Sequence, residues 1–178
     1  MTEAISNPLG IDGFDFIEFA APDAELLHDL FRRMGFTAVA RHRDRAITLY
    51  RQGGVNFLVN EESDSFAADF AREHGPCACG FAIRVADAAK AREHALANGA
   101  EPVESAAGAL AVNTPVIRGI GDSVLYLVDR YGDRTVFDAD YEPIEGADPH
   151  PEGFGMTYID HLTHNVYQGN MDKWAGFY

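Results

Sequence analysis

The sequence predicts an α+β fold made of two tandem β-α-β-β-β units followed by the start of a third. The first observation is an internal repeat. "DAELLHDLFRRMG" (23–35) and "DAAKAREHALANG" (87–99) both begin with Asp and end with Gly, 64 positions apart. At the same offset, "FDFIEFAAPD" (14–23) falls on "ACGFAIRVAD" (78–87), so that a strand precedes each helix. The second observation is that hydrophobic residues make up 47% of the 178 residues, enough for a substantial core.

The helices are predicted from their end signals and their apolar spacing. Asp23 and Asp87 are suitable N-caps, and Gly35 and Gly99 are suitable C-terminal stops. The first helix carries one apolar stripe, made of Leu26, Leu27, Leu30, Phe31 and Met34. A further helix, "SFAADFAREHG" (65–75), is expected to join the two units.

Strand-like runs complete each unit. The first unit continues with "TAVARHR", "AITLYRQ" and "VNFLVNE", and the second with "EPVES", "NTPVIRG" and "SVLYLVDR". We therefore predict a domain over residues 1–137. The acidic segment 138–155, rich in Pro and Gly, is predicted to be a solvated linker.

The opening strand recurs once more near the end of the chain. "FDFIEFAA" (14–21) aligns with "IDHLTHNV" (159–166) at an offset of 145, and "YIDHLTHNV" has the residue types of a strand. Residues 156–178 are thus predicted to be the first strand and the start of the helix of another domain. Because the sequence stops within this helix, we expect a truncated chain.

Composition excludes several functional classes. The formal net charge of −14 argues against nucleic acid, and the basic cluster "RHRDR" (41–45) is interpreted as a strand or hairpin tip. No apolar run approaches the roughly 18 residues of a membrane span, and the N-terminus has no signal-peptide pattern. Cys77 and Cys79 are expected to be reduced, which favours a cytoplasmic protein.

Common catalytic motifs are missing from the sequence. "RGIGDS" (118–123) lacks the third glycine and the helix of a dinucleotide site, and no GxSxG elbow is present. The histidines outside 158–166 form no spaced pair suited to a metal.

Several motifs in order resemble a known family. Tandem βαβββ units resemble the vicinal-oxygen-chelate superfamily, in which two units curl a sheet around a cavity. More closely, "GFDFIEFAAPD", "RMGFTAVARHRDRAITLYRQGGVNFLVNEE", "REHGPCACGFAIRVAD" and "IDHLTHNV…MDKWAGFY" resemble the N-terminal half of bacterial 4-hydroxyphenylpyruvate dioxygenases. The resemblance covers residues 10–178.

The resemblance implies a function and one metal ligand. Members use Fe(II), held by two histidines and one glutamate, to convert 4-hydroxyphenylpyruvate and O₂ into homogentisate and CO₂ in tyrosine catabolism. The family's first histidine falls on His161, and its other two ligands lie outside this sequence. No other catalytic or cofactor-binding residue is assigned. His164, an odd number of positions away, would face the opposite side of a strand and is interpreted as structural.

The resemblance also implies that the first domain is free of metal. The positions matching His161 in the two earlier units are Phe16 and Gly80. Relatives that bind metal carry a glutamate in a DxxGxxxE pattern on the last strand, whereas here Asp129 and Gly132 are followed by Val136. None of these three side chains is a metal ligand.

Two alternatives remain open. The chain could be a non-catalytic scaffold or ligand-binding module, or part of a 4-hydroxymandelate synthase, which shares the fold, substrate and metal. We expect the fragment alone to be inactive and not to retain iron. We also expect a homo-oligomer, since the third unit would leave a strand edge unpaired.

Overall fold

Eight strands form one mixed sheet in the computed structural model, which describes residues 7–103 and 114–178. The strands are β1 (Phe14–Ala20), β2 (Thr37–His42), β3 (Ile47–Gln52), β4 (Val55–Asn60), β5 (Cys77–Arg84), β6 (Val116–Arg118), β7 (Val124–Val128) and β8 (Tyr141–Pro143). Their order across the sheet is β6-β7-β5-β1-β4-β3-β2-β8. The predicted α+β class is confirmed.

The two repeats lie side by side. β1 pairs with β5 in antiparallel fashion, while β1–β4 and β5–β7 are parallel pairs within each repeat. The helices are α1 (Glu25–Arg33), α2 (Phe66–His74), α3 (Ala88–Ala97), α4 (Phe137–Asp140) and α5 (Met171–Phe177). In the strand predicted at 101–105, Pro102 bridges to Ile117, and residues 104–105 lie outside the described residues.

Most of the predicted helix ends are confirmed. Asp87 caps α3 by accepting a hydrogen bond from the Lys90 amide (3.0 Å), and Gly35 and Gly99 follow their helices at φ +89° and +91°. Asp23 is not the N-cap of α1, because Ala24 takes that position; the Asp23 carboxylate accepts a 3.2 Å bond from the Glu25 amide. The buried stripe of α1 is narrower than predicted, with Leu26 exposed and Leu27 buried.

All eight strands enclose one apolar cluster, which we call the inner core. Its members include Phe16, Leu49, Leu58, Tyr126 and Val136, with Phe137 and Tyr141 from α4 and β8. Because every strand contributes a side chain to it, the sheet must curve around this cluster. Smaller clusters on the outer face pack against α1 and against the C-terminal segment.

Two sequence predictions in the last forty residues are wrong. The first domain was predicted to end at residue 137, but its sheet continues beyond that point. β8 lies inside the predicted linker and pairs with β2, with Tyr141 opposite His42. The strand predicted at 158–166 is not formed. A strand needs a neighbouring strand for its backbone hydrogen bonds, whereas here the side chains of Ile159 and Leu162 lie on the outer face of the sheet.

The remaining fold predictions concern the cysteines and the hairpin. Cys79 is buried and Cys77 is half-buried, and both thiols are free. The basic cluster 41–45 spans the turn between β2 and β3, as predicted. Within the described ranges, every helix falls short of the length and apolar character that crossing a membrane requires.

Candidate functional site

Hydrocarbon fills the inner core at the positions where the repeat could have placed metal ligands. Phe16 is fully buried, with its ring 5.2 Å from that of Tyr126 and 5.8 Å from that of Phe137. Val136 is 2% exposed in the same cluster. A Cβ at Gly80 would lie 2.6 Å from Val124 Cγ2. Among residues 7–103 and 114–178, no three His, Cys, Asp or Glu side chains are grouped so that they could hold a metal ion.

A buried carboxylate in the same interior was missed by the sequence analysis. Glu18 is fully buried on β1. The Tyr126 hydroxyl donates to its Oε2 (2.6 Å), and the Asn60 amide donates to its Oε1 (2.7 Å). Burial raises the pKa of Glu18 above its ordinary value of 4.5, and the hydrogen bonds from Asn60 and Tyr126 oppose this shift.

The alternation of β1 contained the signal for this carboxylate. In "FDFIEFA" the side chains of Phe16, Glu18 and Ala20 recur at every second position, so that one glutamate falls between two buried apolar residues. A lone carboxylate on a buried strand face requires hydrogen-bond donors. Asn60 and Tyr126 supply such donors to Glu18, and we assign this carboxylate to the internal architecture of the domain.

His161 lies on the surface of the C-terminal segment, with its side chain 75% exposed. Its Nδ1 is 2.9 Å from Oδ1 of Asp160, and this hydrogen bond lowers the pKa of Asp160. When Nδ1 carries the proton and donates to Asp160, Nε2 bears the lone pair that a metal requires. His161 is therefore suited in chemistry and access to be one metal ligand.

His164 has different surroundings. Its ring centroid lies 5.8 Å from that of Phe81 and 5.2 Å from that of Tyr178, and partial burial lowers its pKa. Together with Leu162 it borders a cleft of about 230 Å³ against the sheet, whose aromatic lining is Phe19, Phe70 and Phe81. These contacts support the structural interpretation of His164. They do not depend on the two faces of a strand, because residues 158–166 form no strand.

Two paired βαβββ units in one curved sheet define the fold of the vicinal-oxygen-chelate proteins. A family model described as "Hydroxyphenylpyruvate dioxygenase, HPPD, N-terminal" matches residues 5–142, and the chain belongs to this family.

Comparisons with individual proteins agree with this assignment. The chain is 50% identical to a 4-hydroxyphenylpyruvate dioxygenase of Pseudomonas sp. (strain P.J. 874), covering 97% of this chain and 48% of that protein. It is 34% identical to a 3-dehydroshikimate dehydratase of Pseudomonas aeruginosa, covering 94% of this chain and 26% of that protein. A solved "xylose isomerase-like TIM barrel/4-hydroxyphenylpyruvate dioxygenase fusion protein" superposes with a TM-score of 0.85 at 30% identity, covering 100% of this chain and 29% of that one. The chain thus spans about half the length of the dioxygenase that it matches.

Proposed function

We propose that this chain is the N-terminal half of an Fe(II)-dependent 4-hydroxyphenylpyruvate dioxygenase. The whole enzyme would convert 4-hydroxyphenylpyruvate and O₂ into homogentisate and CO₂ in tyrosine catabolism. The observation that carries this proposal is the 50% identity to a protein of that name across 97% of this chain.

In this proposal His161 contributes one of three iron ligands. Iron bound by two histidines and a carboxylate supplies open positions for a 2-oxo acid and for O₂. Within this chain, Asp160 would hold the proton on Nδ1 of His161 and so keep Nε2 available. The domain containing β1–β8 would be a scaffold without metal, which the side chains at Phe16 and Val136 support.

A second candidate is a non-catalytic scaffold or ligand-binding module. It is favoured by the occurrence of similar sequence within a protein named as a 3-dehydroshikimate dehydratase. Reading the gene beyond Tyr178 separates the two candidates. A continuing frame with a second ligand histidine and a later glutamate supports the enzyme, whereas a stop codon supports the module.

We also propose a cytoplasmic location and a homo-oligomer. The free thiols of Cys77 and Cys79 support the first. The strand edge that suggested oligomers is not formed, but Phe154, Tyr158 and Tyr167 are 78%, 72% and 87% exposed. Large exposed apolar side chains close together in sequence favour burial against another surface.

The deciding experiment measures iron in the full-length protein. Wild type is compared with His161→Ala and with His94→Ala, a matched control at an exposed histidine on α3. We expect His161→Ala to abolish iron retention at equilibrium dialysis, together with homogentisate formation and oxygen uptake, and His94→Ala to retain all three. Unchanged iron binding by His161→Ala would reject the ligand assignment.

The 178-residue chain provides the complementary measurement. Supplied with Fe(II), 4-hydroxyphenylpyruvate and O₂, it should form no homogentisate, because one histidine cannot hold iron in a three-ligand site. Sustained turnover by this chain would contradict the division of ligands between the two halves.

A further inference from the structure

We propose that the first domain fixes the position of His161 through a strap, residues 149–157, that is clamped by the end of β3 and the turn after it. Gln52 and Gly54 act as positioning residues in this arrangement. The proposal deepens the proposed function and rests on it, since it gives the scaffold domain a part in building the iron site.

Consecutive residues at the end of β3 hold the strap by hydrogen bonds. The Arg51 guanidinium donates to the Pro149 carbonyl (2.9 Å). The Gly53 amide donates to the Pro151 carbonyl (2.8 Å). Between them, the side-chain oxygen of Gln52 accepts from the Phe154 amide (2.5 Å). These bonds reach Pro149, Pro151 and Phe154, so the strap is fixed at several points along its length.

Gln52 is the central member of the clamp. It is fully buried, and its amide nitrogen donates to the Met34 carbonyl at the end of α1 (3.0 Å). Both ends of its amide are thus satisfied, one by the first domain and one by the strap. A buried amide that loses a partner is costly, so this side chain couples the position of the strap to that of α1.

Glycines let the strap approach the sheet closely. A Cβ at Gly53 or Gly54 would overlap the carbonyl oxygens of Met156 and Thr157 respectively, and a Cβ at Gly35 would lie 2.8 Å from the ring of Phe154. Gly54 does not have a positive φ, so alanine is compatible with its backbone. What excludes a side chain at Gly54 is the strap itself.

Beyond the strap, two apolar side chains anchor the segment on either side of His161. Ile159 packs against the outer-face clusters that contain Phe57 and Phe81, and Leu162 packs against the second of these. Asp160 and His161 lie between these anchors, with side chains 67% and 75% exposed. The first domain therefore sets the backbone of the ligand while leaving its imidazole open. Fixing a ligand before the metal arrives favours binding.

The test displaces the strap without touching a ligand. Gly54→Ala adds one methyl group against the Thr157 carbonyl. The matched control, Gly176→Ala on α5, meets no atom within 4 Å and also lacks a positive φ. Gln52→Ala is a second, independent variant should Gly54→Ala fail to fold. Two measurements are made on each variant.

In the 178-residue chain, hydrogen–deuterium exchange should show faster exchange of amides in 151–162 for Gly54→Ala and Gln52→Ala, with Gly176→Ala unchanged. In the full-length protein loaded with Co(II), the same two variants should bind the metal about tenfold more weakly, the scale found for residues that orient a ligand. Their visible Co(II) band should also shift, which loss of global stability alone would not cause.

Unchanged exchange, or faster exchange with unaltered Co(II) affinity and spectrum, would overturn the positioning role. His161→Ala, measured in parallel, keeps the two proposals apart. If that variant loses the metal while the strap variants bind normally, the proposed function stands and the strap proposal fails. If His161→Ala itself retains the metal, the proposed function fails, and the strap proposal that rests on it fails as well.

Discussion

Glu18 makes the free energy of unfolding depend on pH, because its carboxyl group is buried inside the sheet. The folded-state pKa of this carboxyl is raised, first by burial and against the hydrogen bonds from Asn60 and Tyr126. The unfolded chain therefore releases its proton first as pH rises above about 4.5. Between the unfolded and folded pKa values, Glu18 lowers the free energy of unfolding by up to about 1.4 kcal/mol per pH unit.

Glu18→Gln should remove this dependence. The difference in the free energy of unfolding, wild type minus Glu18→Gln, should become more negative from pH 4.5 upward and level off above the folded pKa. Urea unfolding from pH 4 to pH 8 measures it. Glu145→Gln, at an exposed position, is the control and should show no such trend relative to wild type. A Glu18→Gln difference that stays flat over this range would show that the pKa is not raised.

At the scale of single residues, the sequence alone predicted His161 as a metal ligand through family resemblance. It did not predict the buried hydrogen bonds of Glu18. His161 was assigned because a whole motif, "IDHLTHNV", accompanied it. Its pairing with Asp160 is local and could have been considered. The partners of Glu18 come from β4 and β7, up to 108 positions away, and no local pattern specifies such a pairing.

At the scale of elements, β8 is the piece whose role sequence reasoning missed. Tyr141, at its start, is 4% exposed and packs edge-on against Phe137 (5.3 Å) and His42 (5.1 Å). Tyr141→Ala should lower the free energy of unfolding by about 3–5 kcal/mol, as for other large buried aromatic side chains. Urea unfolding of the 178-residue chain measures this change.

A matched control keeps the interpretation specific. Tyr158→Ala, at a position 72% exposed, should leave stability within about 0.5 kcal/mol of wild type. A small effect of Tyr141→Ala, similar to that of the control, would indicate that residues 138–143 behave as a linker after all.

The elements differ in how far sequence could predict them, and the reason is physical. α2 and α3 are capped by Ser65 and Asp87 within their own sequence, so local signals were sufficient. β8 lies in an acidic run and owes its conformation to β2, a hundred positions earlier. For 158–166 the residue types favoured a strand, but a strand also needs a neighbour with which to pair.

At the scale of the whole molecule, residues 149–178 lie on a sheet whose inner core is already complete. That core takes its last described side chain from Tyr141. The C-terminal segment contributes half-buried side chains, Ile159, Leu162 and Phe177, to the outer face alone. Folding of the domain and attachment of the segment should therefore be separable.

A chain shortened to end at Gly146 tests this separation. It should retain its β-sheet circular dichroism and unfold in one cooperative urea transition. Its free energy of unfolding should be about 3 kcal/mol lower, because burial of three apolar side chains to roughly half their area is lost. It should also bind a hydrophobic dye at the uncovered faces of Ile17, Phe57 and Phe81. The control is Tyr167→Ser in the full chain, which removes an apolar side chain that is 87% exposed. This variant should neither lower the free energy of unfolding nor bind the dye. Loss of cooperative unfolding in the shortened chain would show that the segment is part of the domain's own folding unit, and the first domain could not then be an independent scaffold for His161.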